Sequence, residues 1–112
     1  MKDYKVLQEK YPDLLESIGC FECDIGWYDL LDELLHNIKT KDPDIKVAQI
    51  KEKFGTLRFY VWSATDEIFD MINTAEQRSG CICERCGTED ETVKTRNGGW
   101  IYTLCDKCEK GD

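Results

Sequence analysis

The sequence predicts an α+β fold in which helices pack around a strand hairpin and a cysteine-rich module ends the chain. Three observations support this prediction. Apolar residues recur at helical spacing in three segments, two strand-like segments meet at a Lys-Phe-Gly turn, and two C-x2-C pairs lie in the last third of the chain. With 112 residues there is room for one compact unit. We therefore expect residues 1–80 to form the α+β core and residues 81–112 to form a module packed against it.

Two helical segments are predicted in the N-terminal part. Apolar residues keep helical spacing over residues 3–18, although Pro12 breaks that segment into two pieces. A second segment, residues 27–38, has apolar residues at i, i+3, i+4 and i+7, which is typical of an amphipathic helix with one buried face. Its apolar stripe consists of Trp27, Leu30, Leu31, Leu34, Leu35 and Ile38.

A hairpin and a third helix follow. Residues 47–52 and 56–62 are predicted to pair as strands. Because side chains alternate along a strand, the second strand has a buried and an open face. The buried face is expected to consist of Leu57, Phe59 and Val61, and the open face of Arg58, Tyr60 and Trp62. Residues 65–79 are predicted to be helical, since acidic residues occupy their first turn and Gly80 follows.

Seven cysteines in this chain point to a metal site before disulfides, because its first residues lack the apolar run of a secretory signal. Four cysteines form a C-x2-C-x18-C-x2-C pattern, and such pairs on tight turns direct their sulfurs at one ion. The predicted ligands are Cys83, Cys86, Cys105 and Cys108. A hairpin with its turn at residues 97–99 is predicted between the pairs. This order is typical of a zinc ribbon, or of a treble-clef finger with a truncated last helix, holding one structural Zn2+.

A rival ligand assignment uses Cys81 instead of Cys83, which makes the first pair Cys81-x4-Cys86. We prefer Cys83, because its spacing to Cys86 is that of a metal knuckle. Gly87 also favours it, since a glycine after the pair lets the turn curl back without a steric clash.

The pair Cys20-x2-Cys23 has no second pair to complete a site. A further metal site would need Cys81, His36 or another chain. The simpler interpretation is two half-buried free thiols before a helix. His36, the only histidine, is expected at the polar border of its helix.

Charge and composition exclude several classes of function. The formal net charge is −8, which opposes general binding to a nucleic-acid backbone and suits a partner with a basic surface. The acids that such a partner would meet are Glu9, Asp13, Glu16, Glu22, Asp24, Asp29, Asp32 and Glu33. No run approaches the roughly 18 apolar residues of a membrane span, so we expect no membrane segment and a cytoplasmic location. An enzyme is not expected, since the sequence offers one histidine and a metal site closed by four thiolates.

A ligand or partner face is predicted at the hairpin. Residues 37–60 carry six basic and three acidic side chains and form the net-positive part of the chain. Cations beside aromatic planes are suited to a nucleotide or a phosphate. The candidate residues are Lys51, Lys53, Arg58, Tyr60 and Trp62. An ordinary solvated face with lysine stems over the aromatic rings is the alternative.

Four motifs resemble those of a family of small phage and prophage proteins. They are Gly26-Trp27-Tyr28-Asp29-Leu30-Leu31, then Lys51-Glu52-Lys53-Phe54-Gly55-Thr56-Leu57-Arg58-Phe59-Tyr60, then Cys83-Glu84-Arg85-Cys86-Gly87, and Gly99-Trp100-Ile101-Tyr102-Thr103-Leu104-Cys105-Asp106. The resemblance covers most of the chain after Cys20, and Cys108 stands where relatives often carry a histidine. It implies a phage-associated accessory protein with a terminal zinc knuckle and lends no mechanism, since the family has no assigned activity.

Three functional hypotheses follow. The first is a non-enzymatic, zinc-stabilised acidic interaction protein, such as a phage-type inhibitor of a host antiviral-defence protein like a CRISPR nuclease. The second is a protein that sequesters a nucleotide or cyclic nucleotide on the face of Arg58, Tyr60 and Trp62. The third is a nucleic-acid-binding zinc module, which the acidic charge disfavours. The oligomeric state stays open, with a homodimer as one option.

Overall fold

The computed structural model describes residues 2–111, so Met1 and Asp112, the outer ends of the two predicted units, lie outside it. The elements in chain order are α1 (Tyr4–Lys10), a 3-10 turn (Ile25–Trp27), α2 (Tyr28–Lys41), β1 (Val47–Lys53), β2 (Thr56–Val61), α3 (Asp66–Ser79), β3 (Lys94–Asn97), β4 (Ile101–Leu104) and α4 (Asp106–Glu109). β1 pairs with β2 and β3 pairs with β4, each as an antiparallel hairpin. The predicted α+β class is confirmed.

The break predicted at Pro12 is present, and only the first piece of the segment predicted over residues 3–18 is an α-helix. α1 ends at Lys10, because Tyr11 precedes Pro12 and a residue before proline is disfavoured in the helical region. Tyr11 accordingly has φ −126° and ψ 55°. Residues 12–17 continue as turns, which still pack on the core. The buried side chains of this part of the chain are Leu14, Leu15 and Ile18.

The core is centred on α2, which packs against α3. The apolar stripe predicted for α2 is buried: Leu30, Leu31, Leu34, Leu35 and Ile38. Each of these side chains contributes roughly 1.5–3 kcal/mol when removed from water. Trp27, at the end of the 3-10 turn, is also fully buried, so the start of α2 is fixed by the largest side chain of the core.

The β1–β2 hairpin has an unusual turn. Phe54 and Gly55 connect the strands, with φ of 55° and 82°. Positive φ at both central residues defines a type I′ turn, whose twist matches that of the flanking strands. Gly55 adopts this conformation freely, whereas Phe54 does so at a cost of about 1–3 kcal/mol. On β2, Leu57 and Phe59 are buried as predicted.

The outer edge of β2 is satisfied by side chains of α3. The Leu57 N–H donates to Ser79 Oγ (2.9 Å), and the Phe59 N–H donates to Glu76 Oε2 (2.9 Å). These backbone groups have no strand beside them, and buried N–H groups need an acceptor. α3 therefore both covers the sheet and closes its edge.

Replacing Ser79 with alanine is expected to lower the free energy of unfolding by about 1–3 kcal/mol, because the Leu57 N–H loses its acceptor in a buried place. Ser79 has no exposed surface, so water does not reach this site in the folded chain. Urea unfolding measures the change. Ser17→Ala is the control: Ser17 is exposed, and its substitution is expected to change stability by less than about 0.5 kcal/mol. Equal stability of the two variants would contradict the role of Ser79.

The C-terminal module consists of a tight turn, the β3–β4 hairpin and α4. Lys94 pairs with Leu104 and Asn97 with Ile101 at the two ends of the hairpin. Its small apolar cluster consists of Cys83, Leu104, Cys105 and Cys108, with Val93 and Tyr102 packed beside them. Within residues 2–111, no helix combines the length and the apolar character needed to cross a membrane.

Candidate metal centre

The first cysteine pair lies on a tight turn that follows α3. The Cys83 N–H donates to Thr88 O (2.9 Å), and the Gly87 N–H donates back to Cys83 O (2.9 Å). Gly87 has φ 84°, a conformation that glycine adopts without steric cost. The turn thus curls back on itself, with Cys83 buried and Cys86 at the surface.

The second pair is positioned by β4 and α4. Cys105 directly follows β4 and caps α4, where its Sγ accepts a hydrogen bond from the Cys108 N–H (3.4 Å). Arg96 joins the hairpin to this helix: its guanidinium donates to Leu104 O (3.0 Å) and to Asp106 Oδ1 (2.8 Å). Both cysteines are consequently held in fixed, buried positions.

The four predicted ligands converge. The Sγ atoms of Cys83, Cys86, Cys105 and Cys108 all lie within 4.8 Å of one another. The separation between Cys86 Sγ and Cys105 Sγ is 3.7 Å. A tetrahedral ion with metal–sulfur bonds of about 2.3 Å requires sulfur–sulfur separations of about 3.8 Å. The structure therefore contains a four-cysteine cluster whose dimensions are compatible with a metal ion.

The surroundings of the sulfurs favour a thiolate at one position. Burial alone would raise the pKa of Cys83, but backbone N–H donors of Cys86, Cys105 and Arg85 lower this pKa to about 6. Burial raises the pKa of Cys108 to about 12, and hydrogen bonds with the neighbouring thiols add to the shift. Burial also raises the pKa of Cys86. A metal ion that binds here must therefore displace protons from several thiols.

The other cysteines do not join the cluster. Cys81, the rival ligand, is exposed and lies outside it. Cys20 is exposed, and Cys23 is half-buried with its Sγ 3.5 Å from Tyr4 Oη. Burial raises the pKa of the Cys23 thiol to about 11. His36 is exposed on α2, and no second convergent group of three or more metal-ligating side chains occurs in the described part of the chain.

The core contacts the knuckle, the tight turn of residues 82–88 that carries Cys83 and Cys86, through Gly26 and Trp27. The sequence pattern did not predict these contacts. The Gly26 N–H donates to Glu84 O (2.9 Å), and Trp27 Nε1 donates to Ile82 O (3.0 Å). A Cβ on Gly26 would lie 2.1 Å from Cys83 O, so only glycine permits this approach. Gly26 itself is the sequence signal that could have revealed this contact. No turn requires a glycine at this position, and a glycine before a helix then indicates that another backbone segment packs close to it.

Glu84 connects the knuckle to β4. Its N–H donates to Thr103 O (3.0 Å), and the Thr103 N–H donates to Glu84 Oε2 (3.0 Å). Thr103 Oγ1 then donates to Gly55 O (2.5 Å) in the β1–β2 turn. Burial raises the pKa of Glu84 to about 7, and the charges of Glu52 and Asp24 add to the shift. The buried carboxyl group of Glu84 thus lies where three segments meet: the knuckle, the β3–β4 hairpin and the β1–β2 hairpin.

The predicted ligand face is divided in the structure. Lys51 and Lys53 border a groove between the tips of the two hairpins. Tyr60 and Trp62 border a separate depression beside residues 17–22, and Arg58 lines a third one together with Glu76 of α3. Lys51 and Arg58 do face each other across the strands. However, a two-stranded sheet twists strongly, and α3 and residues 17–22 pack against different parts of the β1–β2 hairpin. The predicted residues therefore do not form one continuous face.

Comparisons with protein-family models, curated proteins and solved structures find no match for this chain. The function is therefore inferred from the geometry of the site. That geometry defines an α+β protein with a four-cysteine cluster integrated into its packing.

Proposed function

We propose that this chain is a non-enzymatic interaction protein stabilised by one structural Zn2+ at Cys83, Cys86, Cys105 and Cys108. The observation that carries this proposal is the closure of the site by four thiol groups. A tetrahedral ion with four sulfur ligands keeps no position for water or a substrate, and zinc is well suited to such a donor set. The order of knuckle, β3–β4 hairpin and α4 supports a treble-clef finger with a truncated last helix.

The ion would stabilise more than its own module. Gly26 and Trp27 bind the knuckle, and Gly55 binds β4, so both the helical part and the hairpin of the core contact the metal-bound segments. Zinc binding supplies on the order of 10 kcal/mol in small modules of this kind. Its proposed role is therefore to hold the surfaces of core and module in one arrangement.

Ion pairs neutralise part of the acidic surface predicted from the sequence. The pairs on α2 are Lys2–Asp29 (2.8 Å), Lys10–Asp32 (3.0 Å) and Arg78–Glu33 (3.2 Å). Exposed pairs of this kind contribute little to stability, but they weaken the negative potential over the helix. On α3, Glu67 pairs with Lys41 (2.7 Å), whereas the exposed Asp66 and Asp70 form no ion pair with another of residues 2–111, so the acidic character is better preserved there.

The surface that best fits a basic partner is a groove of about 350 Å³ between α2 and α3. Its rim carries Asp70 together with two ion-paired carboxylates, Glu67 bound to Lys41 (2.7 Å) and Glu33 bound to Arg78 (3.2 Å), and Met71 lines it. Carboxylates around an apolar floor are complementary to a protein segment that carries both cations and apolar side chains. The resemblance to phage proteins supports a host antiviral-defence protein as this partner, for example a CRISPR nuclease with a basic nucleic-acid groove.

Purified protein is expected to inhibit DNA cleavage by a nuclease in a panel of host defence nucleases. Inhibition should weaken as salt is raised, because surface charges are screened. The double variant Glu67→Lys, Asp70→Lys is expected to lose about tenfold or more in potency, since like charges then face each other. The matched control is Glu89→Lys, Glu91→Lys, which makes the same charge change outside the groove. Absence of inhibition by the unmodified chain, or equal losses in both variants, would contradict the proposal.

A further inference from the structure

A second groove, of about 500 Å³, lies between the tips of the two hairpins. One wall is the β1–β2 turn with Lys51, Lys53 and Phe54, and the other is the β3–β4 turn with Asn97 and Trp100. The core hairpin and the metal module therefore each contribute half of the site. This groove is separate from the acidic groove between α2 and α3.

Two aromatic rings of this groove are open to solvent. The exposed fraction is 60% for Phe54 and 65% for Trp100. Single exposed apolar side chains are common, but two large aromatic residues on opposite walls of one groove indicate a binding surface. Phe54 is also held at φ 55°, a conformation that a non-glycine residue adopts at a cost. The turn therefore presents an aromatic ring at a position where glycine would be easier to accommodate.

The groove is locally basic in an acidic protein. Lys51 and Lys53 line it, and Lys53 Nζ lies 5.5 Å from the centre of the Phe54 ring. Glu52 also borders the groove, where its Oε2 accepts a hydrogen bond from the Gly55 N–H (2.7 Å), so the two lysines exceed the acidic side chains of the lining by one charge. Flat rings next to ammonium groups are complementary to a ligand that combines an aromatic ring with negative charge.

We propose that this groove binds a mononucleotide. The base stacks on Trp100 and Phe54, Lys51 and Lys53 bind the phosphate, and the Asn97 amide can donate to and accept from the base edge. A free mononucleotide is favoured over a nucleic-acid strand by charge. A longer polyanion would extend from this small basic area onto the surface of a chain with net charge −8.

The groove depends on the metal module. Trp100 and Asn97 belong to the hairpin that ends at Cys105, and Thr103 Oγ1 fixes that hairpin to Gly55 O of the opposite wall. This inference thus rests on the proposed structural zinc, but not on the proposed inhibition of a nuclease.

The test is calorimetric titration of the zinc-loaded full chain with AMP, ADP and cyclic AMP. At least one is expected to bind saturably at one site per chain. Trp100→Ala is expected to weaken binding about tenfold or more, the range expected for loss of a stacking partner. Trp62→Ala is the matched control, because Trp62 is 71% exposed and lies outside the groove. Phe54→Gly is expected to weaken binding without loss of stability, since glycine tolerates the positive φ.

Several outcomes would overturn the inference. These are no binding of any mononucleotide, equal effects of Trp62→Ala and Trp100→Ala, or tighter binding of a short single-stranded oligonucleotide than of mononucleotides. Unchanged nucleotide binding after zinc is removed would also overturn it, because the Trp100 wall would then not need the metal. A zinc count of one per chain together with nuclease inhibition but no nucleotide binding would refute this inference alone and leave the proposed function in place.

Discussion

Replacing Cys105 with serine is expected to abolish stoichiometric zinc binding and to unfold the C-terminal module. Cys105 is buried, contributes one of the four converging sulfurs and caps α4. A serine hydroxyl is a poor zinc ligand at neutral pH, and the module has only a small apolar cluster of its own. Loss of the site therefore removes stabilisation on the order of 10 kcal/mol.

Native mass spectrometry measures this effect directly as the number of zinc ions per chain. The unmodified chain is expected to carry one ion and Cys105→Ser none, with loss of hydrogen-exchange protection over residues 81–111. Cys81→Ser is the matched control, because Cys81 is exposed and lies outside the cluster. Zinc loss in Cys81→Ser would restore the rival ligand assignment. A Cys105→Ser chain that is folded and still holds zinc would remove the basis of the proposed function.

The effect should extend into the core. The indole N–H of Trp27 donates to Ile82 O, so unfolding of the knuckle leaves a buried donor without its acceptor. An unpaired buried donor costs roughly 1–3 kcal/mol. Chelation of the metal is therefore expected to lower the stability of the α2 region as well, which NMR hydrogen exchange would detect as faster exchange of the Trp27 indole N–H.

The parts of the fold that could be predicted from sequence are those set by short-range geometry. The C-x2-C spacing identified Cys83 and Cys86 as one pair because a single tight turn fixes both sulfurs. Helical periodicity identified the buried stripe of α2 because the period of a helix fixes which side chains share a face. Pro12 indicated the break within residues 3–18, and the first helix accordingly ends at Lys10.

The parts that could not be predicted depend on contacts between distant segments. Trp27 and Ile82 are 55 positions apart, and Gly55 and Thr103 are 48 positions apart. No periodicity or local propensity encodes such a distance. The division of the predicted ligand face has the same origin, since it depends on where α3 and the metal module pack against the core hairpin. Trp100 was consequently not assigned to a ligand site, although it shares a groove with Lys51.

Replacing Gly26 with alanine is expected to lower the free energy of unfolding by about 3 kcal/mol or more, at the upper end of overpacking effects. The new Cβ would lie 2.1 Å from Cys83 O and 2.5 Å from the carbonyl carbon of Glu84. Both neighbours are backbone atoms of the knuckle, so no side-chain rotation relieves the clash. Either the start of α2 or the knuckle must move, and the hydrogen bond from the Gly26 N–H to Glu84 O is then lost.

Chemical denaturation and NMR hydrogen exchange test this expectation together. Gly19→Ala is the matched control: it makes the same change in the same N-terminal part of the chain, and no atom beyond the two neighbouring residues lies within 4 Å of the added Cβ. It is expected to leave stability within about 0.5 kcal/mol of the unmodified chain. The exchange of the Trp27 indole N–H should accelerate in Gly26→Ala and not in Gly19→Ala, because only the first substitution separates Trp27 from Ile82 O. If both variants keep the stability and the indole protection of the unmodified chain, the core does not pack on the knuckle as described. The metal would then stabilise the C-terminal module alone.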